Sequence, residues 1–110
     1  MTFNFTQSES ESESEYKIEA IINTQVVGSI SLENEDGRTQ VWDTEVLEGN
    51  QNKGIATKMY NQLKNELSTI GVDSFYSDAE FSSCAIQKIY DKIGGELVDV
   101  EDDRRYKVEL

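Results

Sequence analysis

Residues 45–60 read Glu-Val-Leu-Glu-Gly-Asn-Gln-Asn-Lys-Gly-Ile-Ala-Thr-Lys-Met-Tyr. An extended segment ends there, a glycine-bearing turn follows, and a well-patterned helix starts at once. Ile55, Met59, Leu63, Leu67 and Ile70 form one apolar stripe, while Lys58, Asn61, Lys64 and Asn65 lie away from it. Gly71 supplies a left-handed stop, and residues 72–77 read as the next strand. Strand, helix and strand in that order ask for a parallel crossover. At the helix start, Gln51, Gly54 and Ala56 are spaced Gln-x-x-Gly-x-Ala. The small residues let a ligand approach the backbone. The unpaired N–H groups of the first turn, with roughly half a positive charge from the helix dipole, suit a phosphate or pyrophosphate.

Gly49 and Gly54 have the Gly-x-x-x-x-Gly spacing, but Ile55 and Ala56 stand where a nucleotide triphosphatase needs lysine and a hydroxyl residue. The loop instead resembles the Gln/Arg-x-x-Gly-x-Gly/Ala signature of the GNAT N-acetyltransferase superfamily, which cradles the pyrophosphate of acetyl-CoA. Val46 falls where such enzymes place an apolar residue at the end of the fourth strand. Downstream, Ala-Ile-Gln-Lys-Ile-Tyr-Asp-Lys-Ile-Gly over residues 85–94 is similar to the family's second helical signature. The resemblance spans residues 39–97. It implies an α+β fold, related to three-layer α/β arrangements: a mixed, mostly antiparallel twisted sheet with a central parallel strand–helix–strand crossover. Only residues 1–15 precede Tyr16, where relatives fit a strand and two helices that wall the acceptor site. Those two helices are therefore expected to be missing and the acceptor side open.

The resemblance also implies a site. Backbone groups around Val46 and Leu47 would pair with the pantetheine arm between the fourth and fifth strands. Gln51 and the N–H groups of Asn52, Lys53, Gly54, Ile55 and Ala56 would hold the pyrophosphate, and Ser83 stands where an asparagine often contacts the coenzyme. Lys53, Lys58 and Lys88 either offset the coenzyme's charge or are ordinary solvated helix charges. Transfer in the family is direct, so the chemistry needs a base for the ammonium and an acid for the departing thiolate. Tyr90 matches the acid position, its alternative being a core aromatic at helical spacing. The base is Asp43, Glu45 or Asp78. Strict alternation puts Val41, Asp43, Glu45 and Leu47 on one face, with Trp42, Thr44 and Val46 on the other. Two carboxylates in apolar surroundings repel, which would give one base character; otherwise that face simply meets water. Gly95 replaces the usual phenylalanine after Gly94.

At 110 residues the chain makes one domain with a modest core. It has no apolar run of membrane-spanning length and no secretory leader, so a soluble, cytoplasmic protein with no membrane partner is expected. One cysteine and no histidine exclude an intrachain disulfide, a zinc finger and a histidine-dependent hydrolase; no metal site is expected, and Cys84 reads as a small buried hydrophobe. The net charge of −12 argues against nucleic acid. It favours a basic partner, whether an amine, a polyamine or a lysine-rich protein, or else merely keeps the chain soluble.

Residues 1–7 read as a short edge strand. The Ser-Glu repeat of 8–15 reads as a solvated tail or loop, with an acidic mimic or phosphorylation site as the functional alternative. Two strands over 16–33, joined near Asn23-Thr24, precede a turn at 34–37 and a strand over 38–47. Ser82 or Ser83 caps the second helix, and strands over 95–100 and 105–110 close the chain. The resulting expectation is an acetyl-CoA-dependent N-acetyltransferase acting on an amine, in particular a lysine of a protein partner. A catalytically degenerate acidic binding module docking on a basic protein is the alternative. Monomer and homodimer stay open.

Overall fold

The computed structural model describes residues 1–9, 13–51, 54–78, 84–100 and 103–110. Strands β1 (Thr2–Glu9), β2 (Ser14–Ile22), β3 (Gln25–Glu35) and β4 (Arg38–Val46) lead to helix α1 (Ile55–Thr69). Strand β5 (Ser74–Tyr76), helix α2 (Cys84–Lys92), and strands β6 (Glu96–Val100) and β7 (Asp103–Glu109) follow. The seven strands form one sheet in the order β1-β2-β3-β4-β5-β7-β6, antiparallel throughout except for the β4–β5 pair. This is the expected mixed sheet with a parallel crossover.

Local turn chemistry sets the first half. Asn23 and Thr24 both have positive φ, at 51° and 66°, the torsions that a two-residue hairpin between right-twisted strands requires. The Ser-Glu run, read as a tail or loop, carries the distal end of the β1–β2 hairpin: Ser8 pairs with Glu15 and Glu9 with Ser14. Residues 10–12 of that run lie outside the described residues. Only residues 10–13 separate the two strands.

The core lies on one face of the sheet. Ile18, Ala20, Ile30, Leu32, Phe75 and Val108 point there, under Ile55, Met59, Leu63 and Leu67 of α1 and Ile89, Tyr90 and Ile93 of α2. Fully burying such a side chain is worth about 1.5–3 kcal/mol. Gly28 allows α1 to lie close to β3, because a Cβ there would sit 2.9 Å from the Met59 Cε. Ile70, assigned to the stripe by periodicity, is 41% exposed. It is the C-cap residue of α1. Tyr60, 1% exposed, takes part in the buried face instead. No described helix covers the opposite face, and none is long and apolar enough to cross a membrane.

Strand β4 departs from simple alternation. Ser31 pairs with Asp43 but Leu32 pairs with Val41, leaving Trp42 as a bulge residue. An extra residue inverts which side every later residue faces. Thr39 and Val41 are therefore buried, Trp42 is 54% exposed, and Thr44 follows Ile30 toward the helices. Asp43 and Glu45 are exposed on the uncovered face. The expected common face of Val41, Asp43, Glu45 and Leu47 does not form, and the apolar bracket around the carboxylates is lost with it.

Both helices stop on glycine. After α1, the Val72 and Gly71 N–H groups donate to the Leu67 and Ser68 carbonyls at 3.0 and 3.1 Å, with Gly71 at φ 88°, a Schellman closure. After α2, the Gly95 N–H donates to the Tyr90 carbonyl at 2.7 Å. A Cβ at Gly95 would stand 2.9 Å from that same oxygen and 3.2 Å from the Tyr106 ring. The residue that replaces the family's phenylalanine is thus required by this packing, in which Tyr106 stacks on Tyr90 with centroids 5.2 Å apart. Gly95→Ala is expected to destabilise the fold by about 1–3 kcal/mol through overpacking. A lowered denaturant midpoint with an unchanged m-value would show it.

Candidate functional site

The site begins where the sheet opens. Parallel pairing between β4 and β5 is confined to Gln40 with Tyr76, whereas β4 stays paired to β3 as far as Val46. Past that single pair the β5-facing edge of β4 has no strand beside it among the described residues. Backbone polar groups left in this way seek another partner, from water or from a ligand laid along the edge.

Helix α1 begins beside the end of β4. Its N-cap, Gly54, is left-handed at φ 73°, with no side-chain cap hydrogen bond and no acidic residue in the first turn. The first intrahelical bond runs from the Lys58 N–H to the Gly54 carbonyl at 3.0 Å, so the N–H groups of Ile55, Ala56 and Thr57 precede the ladder. A Cβ built on Gly54 would meet nothing within 4 Å; the mouth is open. These features fit a pyrophosphate: small residues, an uncapped helix start, and no carboxylate in the first turn of an otherwise acidic protein. Gln51 serves the turn itself, its Nε2 donating to the Val46 carbonyl at 3.2 Å. The Leu47 N–H is engaged by the Val27 carbonyl at 2.9 Å. Asn52, Lys53 and Ser83 lie outside the described residues, as does the side chain of Cys84. Lys58 and Lys88 are exposed.

Behind the opening, three hydroxyls meet from three elements. The Tyr90 hydroxyl on α2 donates to the Tyr60 hydroxyl on α1 at 3.2 Å, and the Tyr60 hydroxyl shares a hydrogen bond with Thr44 Oγ1 on β4 at 2.6 Å. The two phenol rings meet edge to face with centroids 5.2 Å apart, and Phe75 on β5 packs against both. Each tyrosine is 1% exposed. Tyr90, the expected acid, is therefore near the opening but engaged with Tyr60.

Burial pushes the Tyr60 phenol above its ordinary value, opposed by its hydrogen bonds to Thr44 and Tyr90 and reinforced by Asp78 and Asp43. Tyr90 is raised well above that value by burial, then by Tyr60, to which it donates, and by Asp78. Both are neutral at pH 7, able to give a proton and unable to act as bases. Of the candidate bases, Asp78, half-buried just beyond β5, acts on both phenols, and Asp43 acts on Tyr60 from the other face. Glu45, like Asp43, is exposed on that other face.

Periodicity overlooked Tyr60 and Thr44. Tyr60, Leu63 and Leu67 fit the helical i, i+3, i+7 spacing, so a stripe of ordinary width would have included Tyr60. Thr44 reaches its place only through the bulge, which no local pattern marks.

The sequence model of the Acetyltransferase (GNAT) family matches residues 1–94. No match was found among curated proteins. Among solved structures, a GNAT-family acetyltransferase from Staphylococcus aureus Mu50 superposes with a TM-score of 0.72 at 20% identity, over 87% of this chain and 68% of that one. The Paia N-acetyltransferase of Thermoplasma acidophilum, in complex with coenzyme A, gives 0.73 at 12% identity, over 87% and 61%. An Elizabethkingia anophelis GNAT-family acetyltransferase with acetyl-CoA bound gives 0.70 at 14% identity, over 98% of both chains.

The raised phenols set a pH dependence. At alkaline pH the unfolded chain loses its tyrosine protons first, so stability is complete below about pH 10 and falls as pH rises toward the folded-state values. Denaturant melts at successive pH values should show that decline. It should be smaller in Tyr90→Phe, measured relative to that variant's own neutral-pH stability.

Proposed function

The chain belongs to the GNAT acetyltransferase family, and we propose that it transfers an acetyl group from acetyl-CoA to an amine, in particular to a lysine on a basic protein partner. The observation that carries this reading is the opening between β4 and β5, with the uncapped start of α1 at its mouth. The Thermoplasma and Elizabethkingia structures, solved with CoA and acetyl-CoA, support the same ligand here.

Acetyl-CoA supplies an activated acetyl thioester. The chain's own contribution is to hold and orient it. The first-turn N–H groups from Ile55 onward and the Gly54 turn receive the pyrophosphate, and the free edge of β4 receives the arm. Helix-terminal charge contributes only about 0.3–1 kcal/mol, so most of the grip must come from N–H groups donating directly. Asp78, half-buried just beyond β5, is the favoured base over Asp43 and Glu45, which are exposed on the other sheet face. Tyr90 holds the proton that the departing sulfur needs, neutral at working pH because burial keeps it so.

The uncovered sheet face supports a large, basic acceptor. Glu15, Lys17, Glu19, Ser29, Ser31 and Glu33 alternate away from the core on β2 and β3. Asp43 and Glu45 continue the acidic face on β4 beside the exposed Trp42. The same face would serve the competing reading, an acidic module without activity, and Tyr90's burial favours it. Coenzyme binding separates the two.

Acetyl-CoA at a hundredfold excess over its dissociation constant should stabilise the protein by about 2.7 kcal/mol in a thermal-shift assay. Gly54→Asn keeps a residue type that tolerates left-handed torsions but fills the mouth. The expected result is an intact fold with the acetyl-CoA shift abolished. Tyr90→Phe should keep the shift and cut turnover by ~10²–10⁴-fold. An unshifted wild-type protein would remove the enzymatic reading.

A further inference from the structure

Tyr60 is buried, ionisable and hydrogen-bonded to the expected acid, and nothing in the acetyl-transfer scheme uses it. It sits between two hydroxyls: Thr44 Oγ1 at 2.6 Å and the Tyr90 hydroxyl at 3.2 Å. A buried tyrosine at a helix–sheet junction needs one partner for its hydroxyl. This one has two, and both can donate.

We propose that Tyr60 resupplies Tyr90 with a proton during transfer, with Thr44 and Tyr90 together holding the charge that remains on the Tyr60 oxygen. The inference rests on the acetyl-transfer reading above. As the amine nitrogen bonds to the acetyl carbon, the carbon–sulfur bond breaks and its electron pair stays on sulfur. The Tyr90 hydroxyl, which donates to Tyr60 at rest, turns to give its proton to that sulfur, and the Tyr60 hydroxyl turns to give its own to Tyr90. The Tyr60 oxygen then accepts from two O–H groups, Thr44 and Tyr90, whereas a charge left on Tyr90 would have Tyr60 alone. Water or the protonated base later restores the Tyr60 proton, which balances the one removed from the amine. Tyr60 acts through Tyr90 and is a positioning, proton-supplying residue.

The relay answers a specific difficulty. Tyr90 is raised well above an ordinary phenol, which makes it a reluctant donor when it acts alone. The hydrogen bonds from Thr44 and Tyr90 instead favour charge on Tyr60, so passing the charge one step along the hydroxyl chain lowers its cost. The charged and titratable groups around Tyr60 are Asp43 on β4, Asp78 beyond β5, and Tyr90 on α2; Tyr106 on β7, with Asp91 beside it, lies behind Tyr90. Asp43 and Asp78 both oppose charge on Tyr60. Neutralising one of them, by taking up the amine proton, removes that opposition at the moment the relay operates.

The test reads the phenols with and without turnover. Fluorotyrosine, a more acidic phenol, is placed at position 60 and its titration followed by fluorine NMR in the otherwise unaltered 110-residue chain. The expected result is a titration that moves upward in Thr44→Val and in Tyr90→Phe and returns in Thr44→Ser. In the acetyl-transfer assay, Tyr60→Phe should lower kcat roughly tenfold, about 1.4 kcal/mol, with KM for acetyl-CoA unchanged and the alkaline limb of the kcat profile displaced. A Tyr60 titration indifferent to both neighbours, or a Tyr60→Phe enzyme with wild-type kcat and pH profile, would overturn the relay and leave acetyl transfer standing. A wild-type protein that neither binds acetyl-CoA nor transfers acetyl would instead overturn the reading beneath it.

Discussion

The site depends on how strand β4 is held. Along one edge it is hydrogen-bonded to β3 through to Val46; along the other it meets β5 at a single pair, Gln40 with Tyr76. A strand gripped on one side and free on the other presents a fixed row of backbone donors and acceptors without collapsing onto its neighbour. Strand β5 spans only Ser74–Tyr76, too short to follow β4 further. The opening is thus a product of strand length and needs no moving part. The glycine turn and the start of α1 follow directly from the free end of β4, so the backbone row and the helix mouth are parts of one continuous segment.

The hydroxyl chain behind the opening is the second consequence of that arrangement. Burial alone would make a tyrosine here only a large apolar side chain with a satisfied oxygen. Three hydroxyls in series change its chemistry, since each can donate or accept and the direction of the chain can reverse. The packing holds them in register: Tyr60 meets Tyr90 edge to face, Phe75 lies against both, and Tyr106 stacks behind Tyr90. Gly95 belongs to the same unit, because its missing side chain leaves room for Tyr106 against the end of α2. A departure from the family's usual phenylalanine thereby becomes part of what keeps Tyr90 in place.

Charge works at two ranges. The whole chain carries −12, which acts against an anionic coenzyme from a distance, but screening confines that field to about 8–10 Å in physiological salt. The first turn of α1 itself holds no acidic residue, while Glu15, Glu19 and Glu33 of β2 and β3 and Asp43 and Glu45 of β4 lie on the uncovered sheet face. A first turn free of carboxylates leaves the helix start able to attract an anion within a strongly acidic protein.

Much of this was legible along the chain. The stripe from Ile55 to Leu67, the glycine stops at Gly71 and Gly94, the turn at Asn23-Thr24, the turn expected over 34–37 and found at its last two residues, and the Gln-x-x-Gly-x-Ala start of α1 all follow from spacings of a few residues, and such spacings specify local torsions. The face on which Asp43 and Glu45 lie was not legible. It depends on one extra residue, Trp42, and the position of a bulge is decided by how β3 and β4 register against each other. Nor was the meeting of Thr44, Tyr60 and Tyr90, which joins a strand and two helices far apart in sequence. The sequence by itself determined most of the strands, turns and helices and where α1 begins, though not the strand ends within the Ser-Glu run, which carries no apolar pattern to mark them. The tertiary structure alone decided which side chains share the space behind the helix mouth, because long-range pairing and packing, and not local periodicity, bring distant hydroxyls within hydrogen-bonding reach.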